Sequence, residues 1–220
     1  MIRILVALAL VSLFGAAAPT GPARRVDAAF AERTQALYAR RATGPLERAC
    51  AGATGEADLL CRYRLYPLTQ RDALTTGLPE TPAEPTARSY ALLSGLWGYR
   101  AARAPITRLP RYGRRSEDVL RRARALDPTE PFVLLVEGQA LLFKPAIFGG
   151  DRRAALGRFR ALKAALARHP GSGIAPLEAD LWIWYTLDRM GDRAAPALRA
   201  RLLAAGPPPL YRDFLNHPPR

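Results

Sequence analysis

The chain has 220 residues, 49% of them hydrophobic, and a formal net charge of +14. That length can hold one domain with its own core, and that apolar content excludes a disordered tail. β-Branched residues are scarce while alanine, leucine and arginine dominate, which favours helix throughout.

The basic residues are almost all arginine, lysine occurring only at Lys144 and Lys163. Two readings account for the excess. One is an acidic partner: nucleic acid, anionic lipid or an acidic protein face. The other is GC-rich codon usage, which enriches alanine, arginine, glycine and proline together. The arginines are dispersed, the tightest groups being Arg111, Arg114 and Arg115, then Arg121, Arg122 and Arg124. No run reads as a nucleic-acid arm and no aromatic–basic interleaving marks a stacking platform, so nucleic acid is not an expected partner.

Residues 1–17 read as a secretory signal peptide: Arg3, an apolar run over 4–14, then Gly15, Ala16 and Ala17 before Ala18. Retention of this run as an N-terminal anchor is the alternative. No later stretch is long and apolar enough to span a membrane. Residues 18–25 form a linker, and 26–74 an N-terminal helical unit. Asp27 can cap its first helix, with Phe30, Thr34, Leu37 and Tyr38 inward. A short helical piece over 46–51, a turn over 52–55 and a helix over 56–68 follow. The two cysteines, Cys50 and Cys61, flank that turn. In an exported chain a disulfide between them is expected, two free buried thiols being the alternative.

Residues 75–85 are proline-rich and without periodicity, hence a second linker. Thr86 then caps a helix with Tyr90, Leu93, Trp97 and Ala101 on one stripe. The span 105–113 reads as a loop, and Ser116 with Asp118 as the next helix start. Leu126 ends that helix ahead of Asp127-Pro128. Thr129 is the expected cap and Pro131 the first turn of a nearly all-apolar helix over 132–143, whose pattern places it between neighbours. Gly138 in its middle implies close approach of another helix, because glycine there costs about 1 kcal/mol relative to alanine. Pro145, Phe148, Gly149 and Gly150 make a turn, and Asp151 caps a helix with Ala155, Phe159, Leu162 and Leu166 on one face. A helix over 176–190 carries Trp182, Trp184 and Tyr185. A last helix uses Ala195, Leu198, Leu202 and Ala205, and the tail 210–220 folds back through Tyr211, Phe214 and Leu215.

Helix, turn, helix, proline recurs over 86–209. It resembles the tetratricopeptide repeat (TPR), in which a small residue of one helix packs on an alanine of the next and a proline ends the unit. Gly138, Ala165 and Pro170 match those roles. Pro128 and Pro170 stand 42 residues apart, against about 34 in that family, and the 144–150 loop accommodates the excess. The run from Leu126 to Asp151, ending in KPAIFGGD, is also similar to exported bacterial repeat proteins with a P-x-x-F-G-G turn. The TRAP-transporter-associated periplasmic repeat proteins are one such group. The resemblance implies an all-α, TPR-like α-solenoid of stacked antiparallel helical hairpins in a periplasmic or secreted setting.

No phosphate-binding loop, nucleophile elbow or metal motif is present in the sequence. Glu178 and Asp180, two apart, point to different helix faces. No catalytic, cofactor or metal residue is therefore assigned. Glu137 is the notable carboxylate: in an apolar helix it needs either a structural arginine or tyrosine or a ligand. Gly149 and Gly150 before a helix could bind an anion, but the Asp151 carboxylate competes for that place. Trp182 and Trp184 face opposite ways, so one is core. The expected function is non-enzymatic binding of a protein or peptide partner on a surface carrying Trp97, Glu137, Trp182 and Trp184, as scaffold or envelope-transport accessory. The arginine surface adds peripheral contact with acidic envelope components. The alternative is a small-ligand pocket between helices near Trp97, Glu137 and Trp184.

Overall fold

A computed structural model of the chain describes residues 26–219, and every regular element in that span is helical. The signal peptide read over 1–17 and the linker over 18–25 lie outside the described residues. Asp27 caps α1 (Ala28–Ala39), its carboxylate accepting the Phe30 amide at 2.7 Å. α2 (Thr43–Cys50) and α3 (Gly55–Thr69) are joined by the Cys50–Cys61 disulfide, with Cα atoms 5.8 Å apart. Replacing both cysteines by serine is expected to cost about 2–3 kcal/mol, from the freedom the opened loop returns to the unfolded chain. Urea unfolding of the double variant, set beside the reduced parent, measures it.

Thr86 and Ser89 form a reciprocal capping box for α4 (Ala87–Ala102). α5 (Leu109–Leu126) starts earlier than its sequence implies. Pro110 sits in the first turn, where its missing N–H has no partner to lose, and Gly113 has open space around it, so both are carried inside the helix. α6 (Pro131–Phe143) is capped by Glu130 rather than Thr129. The Glu130 carboxylate accepts the Val133 amide at 3.0 Å, whereas the Thr129 hydroxyl donates back to Asp127 at 2.7 Å. Asp151 caps α7 (Arg152–Arg168). α8 (Pro176–Arg189), α9 (Ala195–Ala204) and α10 (Pro209–Asn216) complete the chain.

α4 packs on α5, α6 on α7, α7 on α8 and α8 on α9. Short connections make these consecutive helices antiparallel. α6 explains its own composition: it touches α4, α5 and α7, so Phe132, Val133, Leu134, Leu135 and Val136 are all buried. The N-terminal helices are packed against the rest of the chain: α3 lies on α4, and α1 on both α3 and α10. Leu78, in the 75–85 linker, is itself buried. α10 lies in turn on α8 and α9, burying Tyr211 and Leu215. Ring contacts of Phe143 with Trp182 and Tyr185, each at 6.0 Å, join α6 to α8. Contacts therefore run in a closed circuit, α1–α3–α4–α6–α8–α10 and back to α1.

Candidate functional site

Six helices of that circuit send polar side chains toward a common centre: Tyr38 and Gln35 from α1, Tyr63 from α3, Tyr99 from α4, Gln139 from α6, Glu178 from α8 and Tyr211 from α10. Tyr63 donates its hydroxyl to Gln139 Oε1 at 2.9 Å, and its ring stacks on Tyr99 with centroids 5.4 Å apart. Glu178 Oε2 accepts from the Tyr211 hydroxyl and from the Gln35 amide, both at 3.2 Å, and Gln35 also bonds the Tyr211 hydroxyl. Tyr38, Tyr99, Gln139, Glu178 and Trp182 are half-buried, so they sit deep among neighbours yet are not sealed.

One buried guanidinium underlies the cluster. Arg64 donates to the Ala31 carbonyl at 3.0 Å, to the Thr34 hydroxyl and to the Gly173 carbonyl. Its donors thus hold α1 and the α7–α8 turn in place. Burial lowers its pKa to about 10, with nearby Glu178 acting the other way. Burial likewise raises the Glu178 carboxyl above the ordinary range, against the pull of Arg64 and the Tyr211 and Gln35 hydrogen bonds. The hydroxyls of Tyr38, Tyr63, Tyr99 and Tyr211 are all raised by burial, so they stay protonated, Tyr63 donating to Gln139 and Tyr211 to Glu178. The centre thus offers neutral hydroxyls and amides around a single carboxylate. Among the described residues the centre contains no histidine, thiol or serine, and none of those residues forms a group of His, Cys, Asp or Glu able to hold a metal.

The residues singled out in the sequence are scattered. Trp97 stacks on Tyr112 at 5.8 Å beneath Arg100 and Arg115, between α4 and α5. Glu137 is 5% exposed and lies between Arg124, at 2.8 Å, and Arg158, at 2.9 Å. Both its oxygens are engaged by arginine. Trp184 is 2% exposed, packed edge-on to Phe214 in the core. Among the described residues Trp97, Glu137 and Trp184 share no ring contact, hydrogen bond or ion pair. Trp182 alone reaches the centre, stacked on Phe159 at 5.6 Å. In the turn, Gly149 and Gly150 donate their amides to Ala146 and Pro145 carbonyls, and Asp151 accepts from Arg153 and Ala154. Those amides are satisfied within the loop. Asp180 points away to Lys163 at 2.7 Å, so it leaves Glu178 as the inward carboxylate of that pair. Glu178 and Trp182, one helical turn apart, were the available signal for this face.

Comparison of the chain with protein-family models, with curated proteins and with solved structures finds no match.

Proposed function

We propose that this chain is a non-enzymatic, exported helical-repeat protein that binds a small polar ligand at the tyrosine-rich centre of its helical circuit. The convergence of polar side chains from six helices carries this reading. Ligand sites use a few placed hydrogen-bonding groups beside aromatic side chains, and this centre supplies groups of that kind. Neutral hydroxyls and amides, with the Glu178 carboxylate set against the buried Arg64 guanidinium, favour an uncharged polar ligand. The antiparallel pairing of consecutive helices supports a TPR-like α-solenoid as the underlying architecture, and the disulfide supports an oxidising, periplasmic or secreted compartment.

A protein or peptide partner is the second reading. Phe143, exposed beside the half-buried Trp182, forms an aromatic ledge that could take a partner's side chain. It ranks second because α1 packs on α10 and closes the circuit, whereas an extended peptide calls for an open-ended groove.

A thermal-shift screen of small polar compounds, followed by calorimetry, tests the first reading. Ligands that stabilise the parent should bind about tenfold more weakly to Glu178→Gln or Tyr99→Phe, the loss expected for one hydrogen bond to a buried or charged group. If no compound shifts the melting temperature, and a protein is instead captured from envelope extract at high salt and lost on Phe143→Ala, the second reading replaces it.

A further inference from the structure

Six of the seven large hydrophobic side chains exposed among the described residues belong to one edge of the helical array. Ile106 and Leu109 lie at the α4–α5 connection, Phe143, Ile147 and Phe148 at the α6–α7 connection, and Met190 just after α8. Contacts place these connections together. Arg88, at the start of α4, pairs with Glu130 at 3.5 Å and lies over Phe132 at 5.1 Å, at the start of α6. Both helices therefore begin at one edge and end at the other. Arg152, opening α7, donates to the Arg189 carbonyl at 2.8 Å, which brings the end of α8 to that second edge. The seventh exposed residue, Leu126, ends α5 on the opposite edge.

The most prominent of these connections is a built loop. Phe148, Gly149, Gly150 and Asp151 all donate their amides to carbonyls of the loop or of α6. A Cβ on Gly150 would fall 1.9 Å from the Lys144 carbonyl oxygen, so only glycine closes the turn. This satisfied backbone holds Ile147 at 85% exposure and Phe148 at 65%. Around the tips, Arg108, Arg111, Arg153 and Arg193 are exposed and carry no ion pair among the described residues. Asp151 and Asp192 share the edge, but both are engaged in capping amides. Asp188 is the further carboxylate there.

Apolar tips on separate loops, rimmed by unpaired arginines, complement a flat negative surface with an apolar layer beneath it. A stable protein interface has a fully buried apolar core, which tips carried on separate loops do not form. We propose that this edge docks on an anionic lipid bilayer, with Ile106, Ile147 and Phe148 entering the headgroup region and the arginines meeting lipid phosphates.

Because residues 4–14 form an apolar run of their own, the decisive readout is local. Cys50 and Cys61 are bonded to each other, so Phe148→Cys and Leu126→Cys each offer a single thiol for an environment-sensitive fluorophore in the full chain. Mixed phosphatidylglycerol–phosphatidylcholine vesicles should blue-shift the label at position 148 and leave that at 126 unchanged. Pure phosphatidylcholine vesicles should do much less. Ile106→Ser with Ile147→Ser, both at exposed sites, should raise the lipid concentration for half-maximal shift about tenfold, and high salt should do likewise. Equal shifts at the two positions, no shift at 148 on anionic vesicles, or indifference to the serine pair or to phosphatidylglycerol would each overturn the proposal.

Discussion

Replacing Arg88 with alanine is expected to destabilise the chain by about 3 kcal/mol near pH 8 and by clearly less near pH 5. Arg88 is a four-way junction. It reaches Glu56 of α3 at 3.9 Å and the α6 cap Glu130 at 3.5 Å, donates to the Ser172 carbonyl in the α7–α8 turn, and covers the Phe132 ring. An exposed ion pair contributes about 0–1 kcal/mol, but cutting a buried one strands a carboxylate without compensation. Glu56 and Glu130 are the carboxylates that would be stranded, with side chains 6% and 16% exposed.

The pH dependence follows from Glu130. Burial raises its carboxyl from 4.5 to about 7 even though Arg88 pulls it down. A group raised in the folded state contributes stability that is full below its unfolded value and is lost as pH rises through the folded one. In the parent that loss falls between 4.5 and about 7. Without Arg88 the folded value moves higher, so the variant goes on losing stability above the point where the parent has levelled off. The gap between the two therefore widens from acid to mild alkali. Urea unfolding at both pH values measures it, and adding Glu130→Gln to Arg88→Ala should flatten the difference. An Arg88→Ala chain as stable as the parent near pH 8 would show that the junction holds nothing together.

Helices, caps and the disulfide are local properties, and the sequence pattern marks them well. Periodicity, Asp27, Thr86 and Asp151 locate helices, and Cys50 and Cys61 lie within one hairpin. The start of α5 was less legible because proline and glycine usually mark a break, whereas Pro110 falls in a first turn and Gly113 on an open face. Beyond the Glu178–Trp182 pair on one turn of α8, the central cluster could not be read from spacing. Its members come from six different helices, and Gln35 meets Glu178 and Tyr211 only because α1 and α10 close the circuit, across 143 and 176 residues of chain. Glu137 shows the complementary limit. A carboxylate in an apolar helix must have a partner, but whether that partner is an arginine or a ligand depends on where Arg124 and Arg158 arrive. The apolar edge is hidden for a related reason: Ile106, Ile147 and Met190 look like isolated surface residues until alternate connections are placed side by side.

Gly138→Val is expected to cost about 3 kcal/mol, and Gly138→Ala about 1–2 kcal/mol, although alanine is the better helix former by about 1 kcal/mol. A Cβ at this position would lie 2.5 Å from Phe159 Cε1 and under 3 Å from two further ring atoms, at 2.8 and 2.9 Å. Phe159 cannot yield easily. It is fully buried, and its ring is stacked on Trp182, which packs in turn on Phe214. Displacing Phe159 thus moves a wall of the central cluster as well as the α6–α7 interface, so the variants should alter tryptophan emission along with stability. Shortening the opposing ring supplies the control. Gly138→Ala combined with Phe159→Leu should be less destabilised than the sum of the two single changes, with a coupling of about 1 kcal/mol or more. If Gly138→Ala instead stabilises the chain, helix propensity outweighs the contact, the Phe159 ring has room to move, and close approach of α7 is not what requires glycine here.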